Sequence, residues 1–333
     1  MNRKTLDALA AHHALTGDAV ARMLDLAAAR PTRLEIERFV VRVLHLAGVL
    51  SLAAGVVFLV AANWSTLPVF GRFALVQSVL VGAVAVAWLR PPPARLGRYA
   101  LLLAFIVTGS LLALYGQTYQ TGADVYELFL GWALLGLPFA LAARWSVAWG
   151  AWILVLNVAL WLFCGARPEA GILWLALSPW TVSTSQLLLL PLLVNVLLWA
   201  LGNALRARGA DAVAPVWLGR FALACGVASG TWAAMIVLID GATDEGAAGL
   251  VVSLLVLVGV GVYTLRRRAD VFPVALIEGS LILLSTVWIA RIGDFDGIGM
   301  FFVLAAWLVV TSTLSGRFLM RLVRTWDRQE QPE

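Results

Sequence analysis

The amino-acid sequence predicts an all-α integral membrane protein, a polytopic helical bundle of about ten transmembrane helices. Three observations predict it: the composition, the number of long apolar runs, and the placement of the basic residues. Of the 333 residues, 62% are hydrophobic and 13% are charged, whereas a soluble domain has about 45–50% apolar and about 25% charged residues. Because much of any folded surface must face water in a soluble protein, such an apolar excess indicates a lipid environment.

The apolar runs give the number of spans. A transmembrane helix needs about 20 mainly apolar residues. The first run begins near residue 40, too late for a cleaved signal peptide, so we expect it to remain as an anchor. A shorter apolar stretch, 171–180, is expected to be an interfacial or re-entrant helix. Ten runs meet or nearly meet the length requirement: 41–62, 69–89, 98–116, 127–143, 146–164, 186–206, 217–239, 247–265, 271–290 and 297–315.

The basic residues give the predicted orientation. Lys and Arg accumulate on the cytoplasmic side of membrane spans. With the N-terminus inside and the spans alternating, 21 of the 24 basic residues fall on the cytoplasmic side, and the exceptions are Arg72, Arg167 and Arg291. Both termini are therefore expected to be cytoplasmic. The net charge of +5 follows from this topology, so no nucleic-acid partner is expected.

The chain divides into three predicted parts. Residues 1–38 are mixed and charged, and they predict a cytoplasmic helical hairpin; residues 39–315 form the transmembrane bundle. Residues 316–333 predict a basic amphipathic tail on the cytoplasmic membrane surface. Thr32 and Glu35 have the spacing of a capping box, which predicts a helix that starts near residue 33 and continues into the bilayer.

Signatures of enzymes and cofactor sites are absent from the sequence. It contains no Walker loop, HExxH, GxSxG or dinucleotide-binding motif. Its two cysteines, Cys164 and Cys225, have neither disulfide-framework nor zinc spacing. We therefore expect no catalytic residues, no cofactor and no metal.

Glu278 is the most unusual polar residue within a predicted span. A carboxylate at this depth costs roughly 2.5–3.5 kcal/mol on insertion scales, so it is expected to face the bundle interior. Two interpretations carry equal weight: a proton or cation relay, or a neutral glutamic acid hydrogen-bonded to a neighbouring helix. Other polar or helix-breaking residues indicate helix contacts and tolerated kinks. They are Gln77, Asn157, Asn195 and Asn203, the GxxxG pair Gly226 and Gly230, and Pro138 and Pro191.

Polar residues concentrate in the predicted outer connection between spans three and four, residues 115–127. Loops of this composition often bind ligands, although an ordinary outward turn with interfacial tyrosines is the main alternative. Arg72, on the preceding outer hairpin, is expected to pair with Asp124 or Glu127 or to bind an anionic group. The candidate outer-face binding cluster comprises Asn63, Trp64, Arg72, Gln117, Tyr119, Gln120, Asp124 and Glu127.

Two segments resemble a known family. Val60–Trp64, closing the first span, and Gly116–Asp124, followed by Glu127–Phe129 and Trp132–Leu134, are similar to the two marked regions of a family of predicted bacterial membrane proteins, domain of unknown function 2157. The resemblance covers roughly residues 5–145. It implies placement in the bacterial inner membrane and no particular reaction.

The sequence supports two functional hypotheses, with the lipid bilayer as the expected partner in both. The first is a small-molecule or lipid-associated carrier, motivated by ten spans, Glu278 and the outer cluster. The second is a non-transporting scaffold or accessory subunit that presents residues 1–38 to a cytoplasmic protein. An intramembrane enzyme has the least support, because no nucleophile–base or metal constellation is visible.

Overall fold

The computed structural model describes residues 12–13, 15–26, 32–166, 183–210, 214–241, 244–267, 270–293 and 297–329. These residues are helical or lie in turns and loops, and none of them forms a strand. Ten of the helices are long and apolar enough to cross a membrane. The all-α, ten-span prediction is therefore confirmed. The chain falls into two compact units, Met1–Leu67 and Pro68–Glu333.

The first unit contains α1, Gly17–Leu26, and α2, Arg33–Ala62. The predicted capping box is present: the Thr32 hydroxyl accepts from the Glu35 backbone N–H at 3.2 Å, and the Thr32 N–H donates to the Glu35 carboxylate at 2.8 Å. Two otherwise unpaired N–H groups are satisfied in this way, which is why the helix begins at Arg33. Residues 1–11, 14 and 27–31 of the predicted hairpin lie outside the described residues.

The second unit contains the other helices. Their bounds differ from the predicted runs by only a few residues, except that the last helix extends to Gln329. The apolar stretch 171–180 lies outside the described residues. The helices are α3 Val69–Leu89, α4 Arg95–Tyr119, α5 Val125–Ala143, α6 Ser146–Ala166, α7 Thr184–Leu187, α8 Leu189–Ala207, α9 Val216–Asp240, α10 Asp244–Arg267, α11 Val271–Ile292 and α12 Gly297–Gln329.

Helices α3 to α6 pack in chain order, each against the next. The two-residue connection between α5 and α6 begins at Arg144, which adopts the left-handed conformation with φ +46°. Trp145 follows and packs edge-on against Tyr99 of α4, with ring centroids 5.1 Å apart. Pro138 lies inside α5 without ending the helix, whereas Pro191 follows the short break at Leu188 that separates α7 from α8.

Two glycines allow α4 and α5 to approach closely. A Cβ atom on Gly109 of α4 would lie 2.7 Å from Cε3 of Trp132, and one on Gly136 of α5 would lie 2.5 Å from Cε2 of Phe105. Each helix therefore places an aromatic ring on the glycine of the other. The Trp132 indole N–H also donates to the Phe105 carbonyl at 2.7 Å, which fixes the position of the ring.

The amides Asn157 of α6 and Asn195 of α8 form a reciprocal pair. The Asn157 Nδ2 donates to Asn195 Oδ1 at 3.1 Å, and the Asn195 Nδ2 donates to Asn157 Oδ1 at 2.7 Å. Both side chains are buried, so the interhelical hydrogen bonding predicted for them is confirmed. Asn203 instead accepts from Arg206 of its own helix, and Gln77 is exposed.

The GxxxG pair is the close helix contact that its spacing predicts. A Cβ on Gly226 of α9 would lie 2.9 Å from the Asn195 Cβ, and one on Gly230 would lie 3.0 Å from Leu192 Cδ2 of α8. Helix α9 also packs against α6, α7, α10 and α11. The small side chains of Gly226 and Gly230 let α9 approach α8 closely. Such close packing matters because lipid gives no hydrophobic drive to helix association, so van der Waals contacts and hydrogen bonds hold the helices together.

Helices α11 and α12 are joined by polar contacts. The Trp307 indole N–H donates to the Ser285 hydroxyl at 3.2 Å, and the Ser315 hydroxyl donates to the Glu278 carboxylate. None of the most apolar window of α12 is buried. The helix predicted after residue 315 exists, but it continues α12 without a break as far as Gln329.

Arg291, one of the three exceptions to the predicted charge rule, has a structural role. Its guanidinium donates to the Leu238 carbonyl in the last turn of α9. A cation at this position is favourable because the last carbonyls of a helix lack partners and carry negative partial charge. Arg220, near the start of α9, pairs with Asp270 at 2.8 Å, and Asp270 caps α11 through the Phe272 N–H.

Candidate functional site

The connection between α4 and α5 is short and tightly curved. Helix α4 ends at Tyr119, and Gln120 closes it in the left-handed conformation with φ +43°. Its backbone N–H donates to the Gly116 carbonyl at 3.0 Å. Gly122 has φ +67°, which glycine adopts at little cost. The two left-handed residues turn the chain back so that α5 starts at Val125.

A cavity of about 640 Å³, the α4–α5 pocket, lies in this bend. It contains four residues of the predicted cluster, Gln117, Gln120, Asp124 and Glu127, so the structure brings together half of that prediction. The complete lining is Leu112, Ala113, Tyr115, Gly116, Gln117, Gln120, Thr121, Gly122, Ala123, Asp124, Val125, Glu127 and Leu128.

The lining of the pocket carries negative charge and an apolar surface. Asp124 and Glu127 are its charged side chains, and none of its lining residues is Lys, Arg or His. Asp124 precedes α5 at the capping position, but its side chain makes no capping hydrogen bond. Leu112, Ala113 and Leu128 add apolar surface beside the carboxylates. The arrangement suits a ligand with a cationic group and an apolar body.

Tyr126 fixes the start of α5 against the rest of the bundle. Its side chain is only 1% exposed and packs edge-on against Phe163 of α6, with ring centroids 5.2 Å apart. The same apolar cluster includes Leu187 of α7 and Ala233 of α9. The Tyr126 hydroxyl is 3.4 Å from Glu127 Oε1, to which it donates. The adjacent carboxylate is thereby held near the pocket by a buried anchor.

Four residues of the predicted cluster lie outside the pocket lining. The Tyr119 ring lies tilted against that of Tyr115, with ring centroids 4.9 Å apart, and against that of Phe73 of α3 at 6.0 Å. Arg72 is half-buried in the first turn of α3, and its pairing with Asp124 or Glu127 stays a prediction.

Asn63 and Trp64 belong to the first unit, where they end α2. The Asn63 side chain donates to the Leu59 carbonyl at 2.9 Å, and the Asn63 carbonyl accepts from the Leu67 N–H. The motif that carries the family resemblance therefore serves, at Asn63, to end a helix. Trp64 is half-buried.

Glu278 lies half-buried on α11, far along the chain from the pocket. Its carboxylate accepts the hydroxyl of Ser315 on α12. This is the interhelical hydrogen bond of one sequence interpretation, and the relay role stays a prediction.

Sequence reasoning missed several lining residues. Among them are Leu112, Gly116 and Leu128. Leu112 and Gly116 are four residues apart and so share one face of α4, and Leu128 follows Asp124 by four residues at the start of α5. This four-residue spacing could have identified the apolar lining residues, because it continues from the polar connection into the apolar spans. Among the described residues, no three His, Cys, Asp or Glu side chains are grouped to hold a metal ion.

Comparison with known families places the site within a matched region. Residues 7–149 match the model of a family described as predicted membrane protein, DUF2157. This confirms the resemblance seen at Val60–Trp64 and Gly116–Asp124, and the matched region includes the whole α4–α5 pocket. No curated protein and no solved structure matches the chain.

Proposed function

We propose that this membrane protein is a carrier for a small amphipathic molecule or a lipid-associated group, which it binds through a cationic moiety in the α4–α5 pocket. The observation that supports this is the lining of the cavity, which has two carboxylates, an apolar surface and no basic side chain. Its volume of about 640 Å³ falls within the 300–1,000 Å³ typical of ligand pockets.

Electrostatics favours a cation over a neutral or anionic ligand. A charge pair 4 Å apart near a protein surface interacts by about 4 kcal/mol before desolvation is subtracted. Asp124 and Glu127 both contribute to this attraction. Tyr115, which also lines the pocket, offers an aromatic face on which a cation gains about 0.5–2 kcal/mol. An amine with an aromatic or aliphatic body would satisfy both kinds of surface.

Binding is tested with three ligands that share an indole body: tryptamine, tryptophol and indole-3-acetate. We expect purified protein to bind the cationic tryptamine at least tenfold more tightly than the neutral tryptophol in titration calorimetry. The double variant Asp124→Asn/Glu127→Gln should remove this preference, because it keeps the shape of the pocket and removes its charge.

Asp240→Asn is the matched control for this experiment. Asp240 is an exposed carboxylate at the end of α9 and does not line the pocket, so its variant should bind like wild type. Equal affinity of the wild-type protein for all three ligands would contradict the proposed site.

Transport requires more than a binding site, and in this proposal it is driven by proton movement through Glu278. In proteoliposomes with an imposed pH gradient, uptake of tryptamine should depend on the wild-type protein and fall in Glu278→Gln, while tryptamine affinity is unchanged. Full uptake by that variant would remove the relay from the proposal and leave the binding site intact.

We further propose a bacterial inner-membrane location with both termini in the cytoplasm. The distribution of the basic residues along the chain supports this orientation. Reporter fusions after residues 92, 122, 210, 243, 268 and 295 should alternate between cytoplasmic and periplasmic, starting with cytoplasmic. Two successive fusions on the same side would refute the ten-span arrangement, and alternation that starts with periplasmic would refute the orientation.

A further inference from the structure

A second cavity lies towards the opposite end of α5 from the α4–α5 pocket. It is a groove of about 590 Å³ lined by α3 and by Phe139 of α5, and its lining exposes no polar surface. Helices α3 and α5 run in the same direction and each packs against α4, so the groove lies between α3 and α5. The lining residues are Leu80, Val81, Val84, Ala85, Trp88, Leu89 and Phe139.

The length of the groove matches one leaflet of a bilayer. Nine residue steps separate Leu80 from Leu89, which at 1.5 Å per residue is about 13 Å. Half of a hydrocarbon core about 30 Å thick is about 15 Å. The groove ends where α3 ends, since Leu89 is the last residue of that helix. An acyl chain of one leaflet therefore matches the length of the groove.

Basic residues lie close in the chain to the end of the groove marked by Leu89. Arg90 follows Leu89 directly and Arg144 ends α5 at the same face, and both side chains are exposed. Arg95 and Arg98 lie in the first turn of α4, whose N-terminus adds positive partial charge. Residues 90–98 and 144–145 include no Asp or Glu.

One of these arginines has an unused donor. Within the described part of the chain, Arg98 Nε is buried without a hydrogen-bond partner. A buried polar group without a partner is costly, and a guanidinium is suited to phosphate oxygens through its fork of N–H donors. The residues that follow the groove along the chain therefore supply positive charge and a guanidinium donor without a partner, and the walls of the groove suit a hydrocarbon chain.

We propose that this groove is a binding site for an anionic glycerophospholipid, with one acyl chain along α3 and the phosphate held by Arg90, Arg98 and Arg144. The headgroup class follows from charge complementarity, because basic pockets between spans bind anionic lipid headgroups. The site does not depend on the α4–α5 pocket, and the two are tested by different ligands.

The test compares phosphatidylglycerol with phosphatidylcholine of identical acyl chains, using native mass spectrometry of the full-length protein released from mixed micelles. We expect wild type to retain phosphatidylglycerol about tenfold more than phosphatidylcholine. Arg90→Gln/Arg144→Gln should bring the two lipids to near-equal retention. Arg317→Gln, which removes an exposed arginine of α12, should leave the preference unchanged.

The apolar part of the site needs its own variant. Val84→Trp fills the groove and should lower retention of both lipids, while Leu134→Trp, on an exposed face of α5 outside the groove, should not. Equal retention of the two lipids by the wild-type protein, or an unchanged preference in the double arginine variant, would overturn the proposal. Unchanged tryptamine binding in all four variants would show that the α4–α5 pocket is unaffected.

Discussion

Gly136→Ala should destabilise the protein by about 2–3 kcal/mol, because overpacking a tight contact typically costs 1–3 kcal/mol. The new methyl group would lie 2.5 Å from Cε2 of the Phe105 ring. That ring is buried, and Trp132 packs against it with centroids 5.6 Å apart and donates to the Phe105 carbonyl. The ring therefore cannot move aside without disturbing the α4–α5 contact.

The measurement is thermal unfolding of the purified protein in detergent. Unfolding is monitored as the fraction of protein that remains monodisperse after heating. The expected loss lowers the Tm by roughly 3–4 °C in a chain of this length. Gly131→Ala is the matched control on the same helix, since its methyl group would meet only Leu112 Cδ1 at an ordinary 3.7 Å. A Gly136→Ala protein as stable as Gly131→Ala would contradict the close contact.

Asn195→Leu should cost about 1–2 kcal/mol, because it leaves the buried Asn157 amide without its interhelical partner. Asn195 is 0% exposed and Asn157 is 5% exposed, so little water is available to replace the lost bond. Asn157→Leu should have a similar effect for the same reason. The double variant Asn157→Leu/Asn195→Leu should be more stable than either single variant, since it removes both polar partners from the core.

That order of stabilities separates a hydrogen-bonded pair from two independent packing positions. Equilibrium unfolding of the four proteins in a detergent series gives the coupling energy as a double-mutant cycle. If the two single effects simply add, the amides do not depend on one another and the reciprocal pair is wrong. Asn203→Leu, whose amide accepts from Arg206 of its own helix, gives the comparison for a buried asparagine outside the Asn157–Asn195 pair.

Most of the fold was predictable from the sequence because lipid imposes a simple constraint. Every span must be long, apolar and helical, so composition and run length identified the helices, and the Thr32–Glu35 spacing identified the start of α2. Packing was less predictable. The spacing of Gly226 and Gly230 predicts a helix contact. Gly109 and Gly136 lie 27 residues apart on different helices, and only the structure shows that each packs against an aromatic ring of the other helix.

The candidate site was predictable in part. Gln117, Gln120, Asp124 and Glu127 are close in sequence, so the turn that joins α4 to α5 brings them together. Its apolar wall depends on how the two helices cross, which composition does not encode. Asn63 has a structural role that the sequence did not assign, because an amide after a span can end a helix as well as bind a ligand, and residue type alone does not distinguish these roles.

The two polar contacts between α11 and α12 also fix the rotation of α12 about its own axis. Ser315 and Trp307 are eight residues apart and lie within about 80° of each other around the helix, so turning α12 would break both bonds. Helix α12 continues unbroken for about 21 Å from Ser315 to Gln329. The contacts of Ser315 and Trp307 with α11 therefore set the directions in which Arg321 and Arg324 project from α12. Two hydrogen bonds within the bundle thus orient the arginine-rich last part of this helix.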